Sequence, residues 1–262
     1  MEIIMKRTCL VFGAMVLAMG ISQVNAEPLI AAESVPGEFS TSMLLGTDYV
    51  FRGVSQNSSG TPTIQGSIDY SLDTPVAGVG IYAGVWGSNV EFDPDPGSIE
   101  IDWYGGLTGE VNDIGWDAGF VYFSYPGSPS ASNLDYWEGN ANIGYDFYPY
   151  SLSAGINVSP DFTGETGDAV YWTLGVDVPL YDFLDPMMEP GNGLHGYTKS
   201  LALGLHFGHQ TVDESEDYSD IKLGLSADIV GFGAEVAWHD TFNHADGATS
   251  NSRAVFTISR SF

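Results

Sequence analysis

The groups in this 262-residue sequence that could do chemistry are five histidines, one cysteine, and charged side chains that recur between apolar ones. His195, His206, His209, His239 and His244 show no metalloprotease spacing and no adjacent nucleophile motif. Lipid hydrolysis would need a serine, a histidine and an orienting polar group together, facing the bilayer. His206 instead shares a face with Gly204 and Gly208, opposite Leu203, Leu205 and Phe207, and should point away from lipid. The stretches EFDPDPGSIE and DESEDYSD carry oxygens of the kind that bind calcium, but neither keeps the spacing of a known calcium loop. No catalytic residue, metal ligand or cofactor is assigned. What remains is electrostatic: charges held on one face of a ribbon can pair with each other, or set a field that chooses solutes by sign.

The elements that must position those charges show in the alternation of side chains. In residues 63–72, Ile64, Ile68, Tyr70 and Leu72 share one face, and Thr63, Gln65, Ser67, Asp69 and Ser71 the other. In residues 98–111, Ile99, Ile101, Trp103, Leu107 and Val111 oppose Glu100, Asp102, Tyr104, Thr108 and Glu110. In TSMLLGTDYVFRGVSQ, Asp48 and Arg52 oppose Met43, Leu45, Tyr49 and Phe51. A period of two marks strands with one apolar and one polar face. About twelve such segments can be drawn, near 39–52, 62–72, 78–90, 98–111, 114–125, 135–147, 150–158, 169–178, 199–209, 217–229, 231–240 and 252–262. Long polar connections (NSSGTP, EFDPDPGS, PGSPSASN, SPDFTGETGD, VDESED, DTFNHADGATSN) alternate with tight ones (DTPVAG, NDIG, YPY, VG). That is the pattern of an outer-membrane barrel with long loops outside and short turns in the periplasm. The exception is a long segment at 180–197 on the periplasmic side.

The expected fold is all-β, an antiparallel transmembrane barrel over residues 39–262. With the apolar faces on lipid, Asp48, Arg52, Asp69, Glu100, Asp102, Glu110, Asp117, Asp146, Asp177, Lys222, Asp228, Glu235 and Arg253 line the pore. They either pair and plug a narrow lumen or select what passes through it. Inward glycines such as Gly106, Gly155, Gly175 and Gly224 would leave space there, or relieve strain in a curved sheet.

A soluble β-sandwich shows the same alternation with its apolar face buried, and the two termini favour the barrel. Lys6 and Arg7 precede the apolar run CLVFGAMVLAMGI, and VNA places small residues at a cleavage site. Residues 1–26 therefore read as a cleaved signal peptide and 27–38 as a periplasmic lead. Cys9 lies in that peptide, so the mature chain offers no disulfide framework, thiol nucleophile or thiolate metal site. The last residues, RAVFTISRSF, end on Phe262, with Ile258, Phe256 and Ala254 at every second place before it. Arg260 breaks that pattern and, near a strand end, could snorkel to the interface. The chain carries 7 Lys+Arg against 34 Asp+Glu, a formal charge of −27, which repels nucleic acid and anionic surfaces. Its 13% aromatic content and 33 glycines do not fit a disordered acidic tail.

The phrases TDYVFRGVSQ, IQGSIDYS, GVWGSNVEF, EIDWYGGLTGE, SYPG, SPDFTGETGDAVYWTLGVDVPL and the terminal SRSF occur in order from about residue 39 to 262. Together they resemble the TorF-like porin family, the Gcw_chp-type outer-membrane proteins of Gram-negative bacteria. The resemblance implies a barrel and solute passage, and brings no substrate or catalytic residues. The C-terminus resembles the signal read for barrel insertion, which makes Phe262 an assembly signal and the barrel-assembly machinery a partner, alongside outer-membrane lipid. The expected function is passive diffusion of small cationic or neutral solutes, without enzymatic activity or nucleic-acid binding, in a monomer or loose oligomer. A closed barrel that binds or braces through acidic external loops is the alternative, and a lipid hydrolase the third.

Overall fold

Residues 36–58, 60–92, 99–180, 200–244 and 247–262 are described by a computed structural model. The signal peptide, most of the 27–38 lead, nearly all of the 180–197 segment with His195, and part of the first acidic stretch lie outside those residues. The alternating segments fold as strands: β1 (Glu38–Gly46), β2 (Val50–Phe51), β3 (Val54–Ser55), β4 (Thr63–Asp73), β5 (Val79–Ser88), β6 (Glu100–Val111) and β7 (Ile114–Ser124). They continue with β8 (Tyr136–Phe147), β9 (Tyr150–Ser159), β10 (Ala169–Pro179), β11 (Ala202–Val212), β12 (Tyr218–Ile229), β13 (Phe232–Phe242) and β14 (Arg253–Ser261). All except β2 and β3 form one closed antiparallel barrel, in which each strand pairs with its sequence neighbours and β14 returns to β1.

The seam is sealed by the chain's last residue. β1 and β14 pair from Ser42 with Ser261 to Gly46 with Thr257. Beyond Ser261, the Phe262 amide donates to the Thr41 carbonyl at 2.9 Å, and the Thr41 amide donates to the Phe262 carbonyl at 3.0 Å. Closure leaves no edge strand, and in hydrocarbon an edge would leave backbone donors unsatisfied.

The outward face is the apolar one. Ile64 is 62% exposed, Phe120 55%, Met43 and Trp103 54% each, and side chains of the same kind recur on every barrel strand. A soluble domain does not expose a continuous apolar belt of this kind, so the belt is a lipid-facing surface and the sandwich reading is excluded. Arg260, the odd cation on that face, lays its guanidinium over Phe232 at 4.8 Å and Phe262 at 5.1 Å. Rings at the barrel rim thus cover the charge.

Long and short connections fall on opposite ends of the barrel, as the sequence suggested, except that the long connection between β10 and β11, mostly outside the described residues, joins them at the short-turn end. Asn112 and Asp113 join β6 to β7 with φ of 52° and 65°, the backbone of a tight type I′ turn, to which both residue types are suited. Val230 and Gly231 do the same between β12 and β13 with φ of 56° and 79°.

The inner face departs from expectation, because in the half nearest the long loops it is not simply polar. Tyr49, Trp86, Val90, Val121, Phe123, Tyr125 and Tyr136 form a buried apolar cluster inside the barrel. Tyr49 does not belong to any barrel strand, and its presence there reflects what the first long loop does.

Candidate functional site: a hairpin folded across the lumen

The expected strand at 39–52 stops early, at Gly46. A Cβ on Gly46 would meet Thr63 Cγ2 at 2.9 Å, so glycine lets the chain leave the wall here. Thr47 then ends the ladder: its amide donates to the Phe256 carbonyl at 2.9 Å and its hydroxyl accepts from the Phe256 amide at 3.0 Å. The following residues turn inward as a two-stranded hairpin, with Val50 paired to Ser55 and Phe51 to Val54. Asp48 and Arg52 are inside the barrel, as expected, but on this hairpin and not on the face of β1.

The tip of the hairpin is Arg52–Gly53, both at positive φ (48° and 79°). It reaches the far wall. A Cβ on Gly53 would lie 2.6 Å from both Asp220 Cβ on β12 and Thr241 Cγ2 on β13. On the near side Tyr49 packs edge-on to Trp86 of β5, and Phe51 to Phe123 of β7. The hairpin therefore spans the lumen.

Arg52 holds it there. Its guanidinium forks onto Glu138 of β8, Nη1 to Oε1 at 2.8 Å and Nη2 to Oε2 at 2.5 Å, and Nη1 also donates to Gln210 Oε1 of β11 at 2.8 Å. The same group lies 4.2 Å over the ring of Tyr171 on β10 and 4.7 Å over that of Phe51. Arg52, Glu138 and Gln210 are 7%, 1% and 0% exposed, so this is a desolvated, fully bonded ion pair. Burial opposes the guanidinium's charge, but the Glu138 carboxylate outweighs it and holds the Arg52 proton more tightly than in a free arginine.

A second anchor sits at the hairpin's root. Asp48 accepts from Ser55 Oγ at 2.8 Å and from Arg253 Nη1 of β14 at 2.7 Å. Arg253 Nη2 also donates to the carbonyls of Ala248 and Thr249 at 2.7 and 2.6 Å, which ties the last long loop to the first. Asp48 and Arg52 are thus not each other's partners.

The remaining expected pore residues divide into groups. Lys222 Nζ meets Glu235 Oε2 at 2.9 Å. Asp69 accepts from Ser67 Oγ at 2.6 Å and from the Tyr104 hydroxyl. Glu100, Asp102 and Asp117 lie buried on β6 and β7, without an ion-pair partner among the described residues. Asp117 accepts from Asn142 Nδ2 at 3.2 Å, and neither oxygen of Asp102 has a hydrogen-bond partner among the described residues. Glu110, Asp146 and Asp177 are exposed toward the short-turn end. Asp228 is spent on the turn below it, its Oδ1 accepting from the Gly231 amide at 3.0 Å.

Glu138, Gln210 and Asp220 were missed by the sequence reading, although the signal was present. Glu138 shares the face of Asp146, and Asp220 that of Lys222 and Asp228. Asp220 joins an internal network: the Tyr171 hydroxyl donates to its Oδ2 at 3.1 Å and bonds His206 Nε2 at 2.9 Å, and His206 Nε2 lies 3.3 Å from Asp220 Oδ1. His206 faces inward, as expected. His209 on the outer face bonds Ser219 Oγ through Nδ1 at 2.9 Å, but no polar side chain orients its other nitrogen among the described residues, so no triad forms there. Nor do three or more His, Cys, Asp or Glu converge on a point fit for a metal ion among the described residues. The inward glycines do not open the lumen where they sit. A Cβ on Gly106 would meet Tyr82 Oη at 2.6 Å, and one on Gly224 would meet Glu235 Oε1 at 2.5 Å, so neighbouring side chains already fill that space.

A closed twelve-stranded membrane barrel with its first long loop folded inside is the class of protein these features define. The chain belongs to the Gcw_chp family, described as bacterial proteins of unknown function, whose profile matches residues 30–262. No curated protein matches it. Among solved structures it is similar to the COG4313 outer membrane channel from Pseudomonas putida F1, at 9% identity and a TM-score of 0.52, covering 90% of this chain and all (100%) of that one. It also matches the NanC porin at 7% identity and a TM-score of 0.48, over 84% of this chain and 97% of that one. At these identities the likeness is one of fold.

Proposed function

We propose that this protein is a passive channel of the bacterial outer membrane for small solutes, leaning toward cations and narrowed at the inserted hairpin, with its long-loop end outside the cell. The observation that carries the reading is the hairpin itself. A loop that crosses the lumen and is fixed by ion pairs narrows the bore, and the inner wall around it supplies the charge a solute meets. Acids outnumber bases on the inner wall, so cations are attracted and anions repelled. The Debye length is about 8 Å at physiological salt, so preference is strongest in dilute salt and fades as salt rises.

The test is ion conductance of the reconstituted barrel with reversal potentials measured across a salt gradient. Cation preference is expected, moving toward zero when Asp69, Asp117, Asp146 and Asp177 are neutralised together. Preference for anions in dilute salt would refute it. A barrel that passes no current would instead favour a closed plug, a reading supported by how tightly the hairpin is packed, with Tyr49 2% and Trp86 4% exposed.

A further inference from the structure

Between the hairpin and the surrounding long loops lies a cavity of about 800 Å³, within the size range of small-molecule sites. Its lining combines aromatic rings with carboxylates. Phe51 of the hairpin, Tyr125, Tyr136, Phe162 and Tyr218 face it, and Asp213, Glu214 and Glu216 stand at one side. Among the described residues that line it, His244 is the one base and neither lysine nor arginine occurs, while the Arg52 guanidinium, already neutralised by Glu138, lies 4.7 Å over the Phe51 ring. Several of these rings are held in place by others: Phe92 packs edge-on to Tyr125 at 5.7 Å, Tyr136 to Phe162 at 4.8 Å, and Tyr136 stacks on Phe123 at 4.4 Å. The Tyr125 hydroxyl donates to Glu100 Oε1 at 3.1 Å, a bond that pushes electron density into the ring.

We infer that this vestibule binds small organic monocations with an apolar body, of the quaternary-ammonium or arylalkylammonium class. The physical case is complementarity on two counts. The faces of electron-rich rings attract a diffuse cation that water solvates poorly, and the three carboxylates add a field of the matching sign. An aromatic anion meets the same rings but is repelled by the field. A neutral aromatic solute gains the apolar contact and neither charge contribution. A compact inorganic cation is attracted by the carboxylates but gives up too much hydration to enter an aromatic cage. The inference deepens the channel reading by naming the solute class collected above the constriction, and it takes its physiological meaning from that reading.

The experiment is titration calorimetry of the folded full-length barrel in detergent with benzyltrimethylammonium, its neutral carbon isostere neopentylbenzene, and benzoate. The cation should bind at least tenfold more tightly than either of the others. Glu216→Gln, an exposed change that cannot disturb the barrel, should weaken binding about threefold in dilute salt and much less in concentrated salt. Phe162→Leu should weaken it about tenfold at both, with heat-modifiable migration confirming that each variant is folded. Equal binding of the isostere, tighter binding of benzoate, or no binding of the cation to folded protein would overturn the inference. Conductance without cation binding leaves the channel and removes this site, whereas binding without conductance keeps the site and removes the channel.

Discussion

Replacing Gly53 by alanine should drive the hairpin out of the lumen while leaving the barrel intact. The added Cβ would lie 2.6 Å from both Asp220 Cβ and Thr241 Cγ2, with the Asp240 carbonyl at 3.3 Å. Carbon atoms prefer about 3.5–4.0 Å, so each of the first two contacts is roughly 1 Å too short. Overpacking of this kind costs about 1–3 kcal/mol. A side chain at the φ of 79° that Gly53 adopts adds about 1–2 kcal/mol. The sum, about 2–5 kcal/mol, shifts the balance from inserted to withdrawn hairpin by about 30-fold or more. Asp220 and Thr241 are fixed in the ladder between β12 and β13, so the wall cannot easily give way. No barrel register includes residue 53, and heat-modifiable migration should be unchanged. Withdrawal can be read with Ser55→Cys, buried at 3% exposure and reactive only when the hairpin leaves. A membrane-impermeant maleimide should label Ser55→Cys at least tenfold faster when Gly53→Ala is added, and single-channel conductance should rise. Equal labelling rates with equal conductance would show that the tip is not wedged against β12 and β13.

Glu138→Leu leaves the Arg52 guanidinium buried without its carboxylate and should lower stability to urea by about 3–5 kcal/mol, whereas the double change with Arg52→Met should recover most of that loss. Deleting Phe262 removes both hydrogen bonds it shares with Thr41, so the yield of folded barrel in cells should fall while the conductance of the molecules that fold stays the same. Normal yield would count against its role in assembly. Val230 is a β-branched residue at a φ of 56° in a two-residue turn, and Val230→Asn should raise stability by about 1 kcal/mol in an unfolding titration; no gain would mean the turn is not strained.

The barrel was legible because its strands face two different solvents. Lipid outside and polar groups inside impose a strict period of two, and β4 and β6 carry it almost without exception. The pattern misled where it ran on past a structural boundary. Tyr49 and Phe51 continue the alternation of Met43 and Leu45, yet they pack inward. Hairpin strands are extended too, and a buried hairpin facing a buried wall needs apolar residues just as lipid does. Gly46 and Gly53 were the available signals, since they mark where the chain leaves the wall and where it turns back. The alternation fades in β5 for a related reason. Tyr82 and Trp86 point inward while Ile81 and Val85 point out, and at Trp86 the plug makes the inner wall part of a core. No one-dimensional pattern could pair Arg52 with Glu138 and Gln210, since those contacts depend on how far the hairpin reaches across the closed sheet.

Buried unpaired acids and ion-paired bases stand on different walls, a feature that net charge alone hides. On β6 and β7, Glu100, Asp102 and Asp117 are buried without a cation among the described residues. Lys222 and Arg253 stand across the barrel on β12 and β14, where they pair with Glu235 and Asp48, and His206 of β11 lies 3.3 Å from Asp220. The hairpin runs between the two, with Tyr49 against Trp86 on one side and Gly53 against β12 and β13 on the other. Its one cation, Arg52, is neutralised by Glu138, so the plug adds little net charge of its own. Ion pairs therefore fix the hairpin, one of the two readings of the charged residues that the sequence left open, and the reversal potentials of the neutralised variants read whether the buried acids act on a solute, as the other requires.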